Sequence, residues 1–129
     1  MHFYTDSLHC KALQKAQGKN IKVALSNVCF ELWILLHFQI NSAPYTSYDD
    51  LIRHSSLQSH LQKNGIPSYS KNETTLFQIL RNNVEIAKDN ATIMNQTTID
   101  SAAAGLTFPY QFNPYTDVHR LLDAIDAFK

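Results

Sequence analysis

The chain has 129 residues, no formal net charge and 17% charged residues, a length that supports one domain or a piece of a larger one. Its 44% hydrophobic content excludes wholesale disorder, and eleven Lys and Arg against eleven Asp and Glu leave no polyelectrolyte drive toward nucleic acid or anionic membrane. The two cysteines, Cys10 and Cys29, sit in no zinc-type spacing and exclude a disulfide scaffold.

The N-terminus, Met1 to Asp6, has neither a basic region nor an apolar run of the signal-peptide kind, so a cytoplasmic protein is expected. Residues 6–17 predict a helix with Leu8 or His9, Ala12, Leu13 and Ala16 on one face, stopped by Gly18. Ile21-Lys22-Val23-Ala24-Leu25 alternates and then turns wholly apolar, as a short buried strand does. After Ser26-Asn27 comes a helix that is apolar almost all round, with Phe30, Leu32, Trp33, Ile34, Leu35, Leu36 and Phe38, and it must be covered on several sides. Membrane crossing takes about 20 predominantly apolar residues, and this run is too short for it.

Asn41 to Ser47, with Pro44, reads as a loop. Ser47 or Tyr48 opens a weaker helix to Lys63, with Asp49 and Asp50 where the helix dipole favours acids, and Asn64-Gly65-Ile66-Pro67 ends it. Asn72 caps a long helix carrying Leu76, Phe77, Leu80, Val84, Ala87, Ala91 and Met94 at three-to-four spacing. Thr97–Gln111 reads as a loop, and Asn113-Pro114 precedes a last amphipathic helix with Val118, Leu121, Leu122, Ile125 and Phe128 inside.

One strand makes no sheet, because its backbone groups need neighbours. Residues 107–112 offer a marginal second strand, against which Pro109 argues. The expected fold class is therefore a helix-dominated α/β fragment with one buried strand, about 21–25, and about five helices. In that reading Ile21–Phe38 is the trailing part of a sheet whose first strands are absent. The alternative is an all-helical domain in which 21–25 is merely extended.

Glu31 is the single acid in the hydrophobic run, and burying an unpartnered charge is costly. It is expected at the strand-to-helix junction beside the Ser26 or Asn27 amides or a basic side chain, in a functional role or as a structural pair. Ser26 or Asn27 is expected to cap the helix. Open α/β sheets place ligands at such junctions.

The stretch Ser26-Asn27-Val28-Cys29-Phe30-Glu31-Leu32-Trp33, followed by Leu35-Leu36-His37-Phe38, resembles the signature of the RloB family, whose usual form is S-N-P-C-F-E-L-W. Tyr69-Ser70-Lys71 is similar to the family's tyrosine-x-lysine segment, and Asn113-Pro114-Tyr115-Thr116-Asp117-Val118-His119 to its C-terminal element. The resemblance spans Ile21 to Lys129. It implies a phage-resistance role, a relation to Toprim-type nucleases, and action on nucleic acid with a partner ATPase. It also implies Mg2+ in a full-length relative, with no cofactor in this chain itself. Two departures stand out. Val28 replaces the family's proline, which is pre-organised for a first helical position. The glutamate and Asp-x-Asp motifs of Toprim nucleases do not occur, so residues 1–129 read as one N-terminally truncated, RloB-like domain, inactive alone. A non-catalytic module docking to the ATPase or to a separate N-terminal half, by strand addition at 21–25, is the alternative.

The catalytic candidates are Glu31, Lys71 and His37, and the remaining motif positions are Ser26, Asn27, Phe30, Trp33, Tyr69, Asn113, Thr116 and His119. Tyr69 and Lys71 can set a hydroxyl and an ammonium near a phosphate, although Lys71 also fits a solvated loop. His37 also reads as a hydrogen-bonded core residue. Asn113 and Thr116 read as the cap of the last helix, with His119 one turn on. His54 and His60 lack metal spacing, so no metal site is expected. Lys11, Lys15, Lys19 and Lys22 form a modest basic cluster that is either a solvated face or a nucleic-acid contact.

Overall fold

The apolar run after Cys29 forms the centre of the molecule. In a computed structural model that describes residues 24–71, 73–106 and 109–127, it folds as α1, Glu31–Leu36, and all six of its residues are buried. A helix apolar on every side needs cover on every side, and three elements supply most of it. These are β1, Ser26–Asn27, then α2, Tyr48–His54, and above all α4, Leu76–Ser101. On α4 the completely buried Ala87 and Ala91 let the two helices approach closely, and Met94 fills the remaining space.

The expected weak helix from 47 to 63 is two helices, α2 and α3, the latter Leu57–Lys63. The Ser47 hydroxyl accepts from the Asp50 amide at 3.0 Å and caps α2. The break falls at Ser55-Ser56, where serine side chains compete for backbone and neighbour bonds. Ser55 is extended and its hydroxyl accepts from the Leu57 amide at 3.2 Å, while the Ser56 hydroxyl donates to Gln39. At the end of α3, Gly65 takes φ +88°, and the Ile66 and Gly65 amides donate to Leu61 O at 2.9 Å and Gln62 O at 3.2 Å. That is a Schellman stop, sealed by the buried Ile66.

The strand lies further along than expected. Ala24 and Leu25 are not strand, and β1 pairs antiparallel with β2, Tyr115–Thr116, in the register Ser26 to Thr116 and Asn27 to Tyr115. As Pro109 argues, the described part of 107–112 is no strand, and Pro109–Gln111 is a 3-10 turn. Each strand is two residues long, so the sheet draws support from side chains. Asn95 on α4 donates from Nδ2 to Thr116 O at 2.8 Å and accepts from the Thr116 amide at 3.0 Å, as a neighbouring strand would. The Asp117 amide donates to Leu25 O at 2.7 Å.

The long helix α4 runs to Ser101, five residues into the segment expected as loop. The last helix, α5, is Val118–Ala127. Its first turn is served by the Asp117 carbonyl, which accepts from Arg120 and Leu121, and by the Thr116 hydroxyl, which accepts from Val118 at 3.3 Å. Asn113 does not cap it, because its Nδ2 donates to Tyr45 O at 2.9 Å and ties down the loop before α2. Lys88 on α4 anchors α5 through Asp123 at 2.8 Å.

The described residues thus form a helix-dominated fold of five α-helices and a two-strand antiparallel sheet. None of these helices is long and apolar enough to cross a membrane. The expected helix at 6–17, the basic cluster Lys11 to Lys22, strand positions 21–23, the cap Asn72 and the core residue Phe128 lie outside the described residues.

Candidate site around Glu31

Glu31 opens α1 and is only 3% exposed, so its carboxylate must find donors within the protein. They come from an unexpected direction. The Tyr69 hydroxyl donates to Glu31 Oε2 at 2.5 Å, and the Cys29 thiol adds a second hydrogen bond. A charge-assisted O–H···O bond of that length is at the strong end of the range. The expectation that Glu31 is satisfied at the junction stands, but the Ser26 and Asn27 amides are not its partners. The Ser26 hydroxyl meets Thr116 Oγ1 at 2.6 Å, and Asn27 Nδ2 donates to Phe112 O at 2.8 Å. Both side chains stitch the strands, and neither caps α1, whose cap position is Phe30 without a side-chain bond. Val28 therefore precedes the helix and does not occupy its first position.

Tyr69 reaches Glu31 from the segment after α3, where its amide donates to Gln58 Oε1 at 3.1 Å. Two residues on, the Lys71 ammonium lies 4.9 Å from the centroid of the Tyr48 ring. Cys29, Glu31, Tyr48, Tyr69 and Lys71, with Ile34 and Leu76 among the apolar walls, line one cavity of about 340 Å³. The first two motifs, far apart in sequence, thus converge there.

The surroundings of the cavity hold the Tyr69 hydroxyl and the Cys29 thiol in their protonated forms. Burial pushes the Tyr69 hydroxyl far above its ordinary range, and the hydrogen bond and charge of Glu31 push it further. Burial and then the Glu31 charge also raise the Cys29 thiol, although the Glu31 and Leu32 amides pull the other way. Cys29 is therefore a poor thiolate nucleophile at neutral pH.

The other candidates lie elsewhere. His37 is buried, with Nδ1 2.9 Å from Trp33 O and its ring edge-on to Trp33 at 4.8 Å. It lines a second cavity with Phe30, Trp33 and residues of α4 and α5, and burial holds its pKa below the ordinary histidine value. His119 is buried over Trp33 with ring centroids 6.4 Å apart, and its Nδ1 has no protein partner. Phe30 is half-exposed, while Trp33 is buried. His60 bonds Gln39 Oε1 at 2.9 Å and stacks on Phe38, and exposed His54 pairs with Asp50 at 2.7 Å.

The residues present do not fit a magnesium ion. That ion wants near-octahedral oxygen ligands, whereas Glu31 is held by a phenol and a thiol. Among the described residues no three His, Cys, Asp or Glu side chains gather in a metal-holding arrangement.

Tyr48, Cys29 and Gln58 were not legible as site residues. Tyr48 read as the start of a helix and Cys29 as an isolated thiol. The available signal was local: Cys29 stands two residues before the acid that needs donors.

Compared with known proteins, residues 3–125 match the family model described as RloB-like protein. No curated protein and no solved structure gives a significant match. The family match takes in the Glu31, Tyr69–Lys71 and Asn113–His119 segments together, and the chain belongs to the RloB-like family.

Proposed function

We propose that the chain works as part of an RloB-like phage-defence protein, a metal-dependent Toprim-type nuclease acting with a partner ATPase, and that it is inactive alone. One observation supports the reading: Glu31, Tyr69 and Lys71, drawn from two separate motifs, share a cavity at the amino end of α1. There the chain contributes a cation suited to a phosphate, Lys71, beside a Tyr69 hydroxyl that is already committed to Glu31. The carboxylate ligands of the metal come, in this proposal, from the glutamate and Asp-x-Asp motifs of an N-terminal region.

The test is a nuclease assay with magnesium or manganese on DNA and RNA. The 129-residue chain should show no cleavage. Joined to a relative's N-terminal region bearing both acidic motifs, it should cleave in a metal-dependent way. Cleavage by the short chain that is abolished in Glu31→Gln would place the catalytic acids within this chain and overturn the proposal.

A further inference from the structure

The cavity beside Glu31 has an electrical and chemical direction. Glu31 is buried, Tyr69 is half-buried and Lys71 is exposed. A phosphate carried past the lysine would meet the carboxylate, so the anion belongs with Lys71 at the rim. Whatever lies deeper carries no negative charge, and beside Glu31 and Cys29 the cavity offers it Tyr48, Tyr69, Ile34 and Leu76. Flat apolar faces with a cation at the mouth suit an aromatic ring linked to a phosphate. A volume of about 340 Å³ is at the small end of ligand pockets, enough for one nucleotide and far too little for a base-paired duplex.

We propose that this cavity receives one unstacked nucleotide of a nucleic-acid strand, its base against Tyr48 and the Ile34–Leu76 wall and its phosphate at Lys71, so that the chain prefers single strands to duplex. The inference rests on the nucleic-acid reading above and specifies the substrate form. Single strands expose base faces for stacking on aromatic side chains, which a duplex keeps covered. A duplex binder also needs several phosphate contacts along a basic track. This chain has no excess of basic over acidic residues. The Lys71 ammonium lies over the Tyr48 ring, 4.9 Å from its centroid, so a base that stacks on that face displaces the ammonium toward the phosphate of the same nucleotide.

The experiment is fluorescence anisotropy of the 129-residue chain in EDTA, where no metal-dependent cleavage occurs. The probes are labelled single-stranded DNA, single-stranded RNA and the blunt DNA duplex of the same sequence. At least one single strand should bind about tenfold tighter than the duplex, as expected from one stacked base. Tyr48→Ala should weaken that binding about tenfold, with Tyr48→Phe retaining it. Lys71→Ala should weaken it and reduce the salt slope by about one contact. Lys63→Ala, an exposed lysine at the end of α3 outside the cavity, should leave it unchanged. Circular dichroism confirms that each variant is folded. Equal or tighter duplex binding, or single-strand binding indifferent to both Tyr48→Ala and Lys71→Ala, would overturn the inference. Cleavage by the extended protein alongside such indifference would sink the inference alone. Binding that depends on Tyr48 and Lys71, with no cleavage by the extended protein, would support the inference and remove the nuclease reading.

Discussion

Tyr69 and Glu31 stand 38 positions apart in sequence, yet each solves the other's problem. The carboxylate needs a donor in a buried setting, and the phenol needs an acceptor. Tyr69→Phe keeps the ring and removes the donor, so it should destabilise the chain by about 1–3 kcal/mol, the cost of leaving a buried polar group short of a bond. Denaturant melts measure it, and a loss below about 0.5 kcal/mol would mean that water replaces the hydroxyl at no cost. A second consequence is pH dependence. Burial holds His37 and His119 below the ordinary value of 6.5, so the folded state keeps them neutral while the unfolded state protonates them. The unfolded chain then binds more protons, so stability is full above 6.5 and falls as pH drops below it, through the lowered pKa values of the folded state. The double variant His37→Gln, His119→Gln should flatten the stability–pH profile in that window. An unchanged slope would assign it to other groups, of which His60, lowered in the same direction, is the first to test.

Among the elements, α1 and α4 carry the fold, and they were the most legible. An all-round apolar run admits few solutions besides a buried helix, and α4 repeats its apolar residues every three or four positions, with Ala87, Ala91 and Met94 buried. Trp33, 4% exposed within α1, should cost about 3–5 kcal/mol when truncated to alanine, read from thermal or denaturant melts. A loss under about 1 kcal/mol would contradict the close packing of α1. The two-residue strands were much less legible. Their pairing depends on Ser26 meeting Thr116 and on Asn95 replacing a strand, contacts that leave no local period in the sequence. The same distance effect hid the site. Glu31 announced its need for a partner, but the nearby Ser26 and Asn27 were already committed to Thr116 and Phe112, so the donor came from Tyr69. Asn95→Leu isolates the contribution of the substitute strand. It strands the Thr116 amide and carbonyl without partners and should cost roughly 2–5 kcal/mol in denaturant melts. A loss below about 0.5 kcal/mol would show that Thr116 gains nothing from Asn95.

At the scale of the whole molecule, α1 is shared by nearly everything around it. It packs on β1, α2 and α4, and Trp33 stacks toward His119 of α5. Lys88 then ties α4 to Asp123 of α5, and the Asn113 amide ties the segment before β2 to the loop before α2. None of α2, α4 and α5 can leave this arrangement without uncovering part of α1, which makes partial unfolding costly. The chain should therefore unfold in one cooperative step. Its single tryptophan makes the expectation directly measurable, because Trp33 reports the core while far-ultraviolet circular dichroism reports the helices, of which α4 is the longest described. In urea the two signals should change together, with coincident midpoints and a common slope of about 1–3 kcal/mol per molar. Dichroism that declines well before the Trp33 fluorescence would mean that α4 frays or detaches while α1 stays covered, and that α1 owes its burial to the sheet and α2 instead.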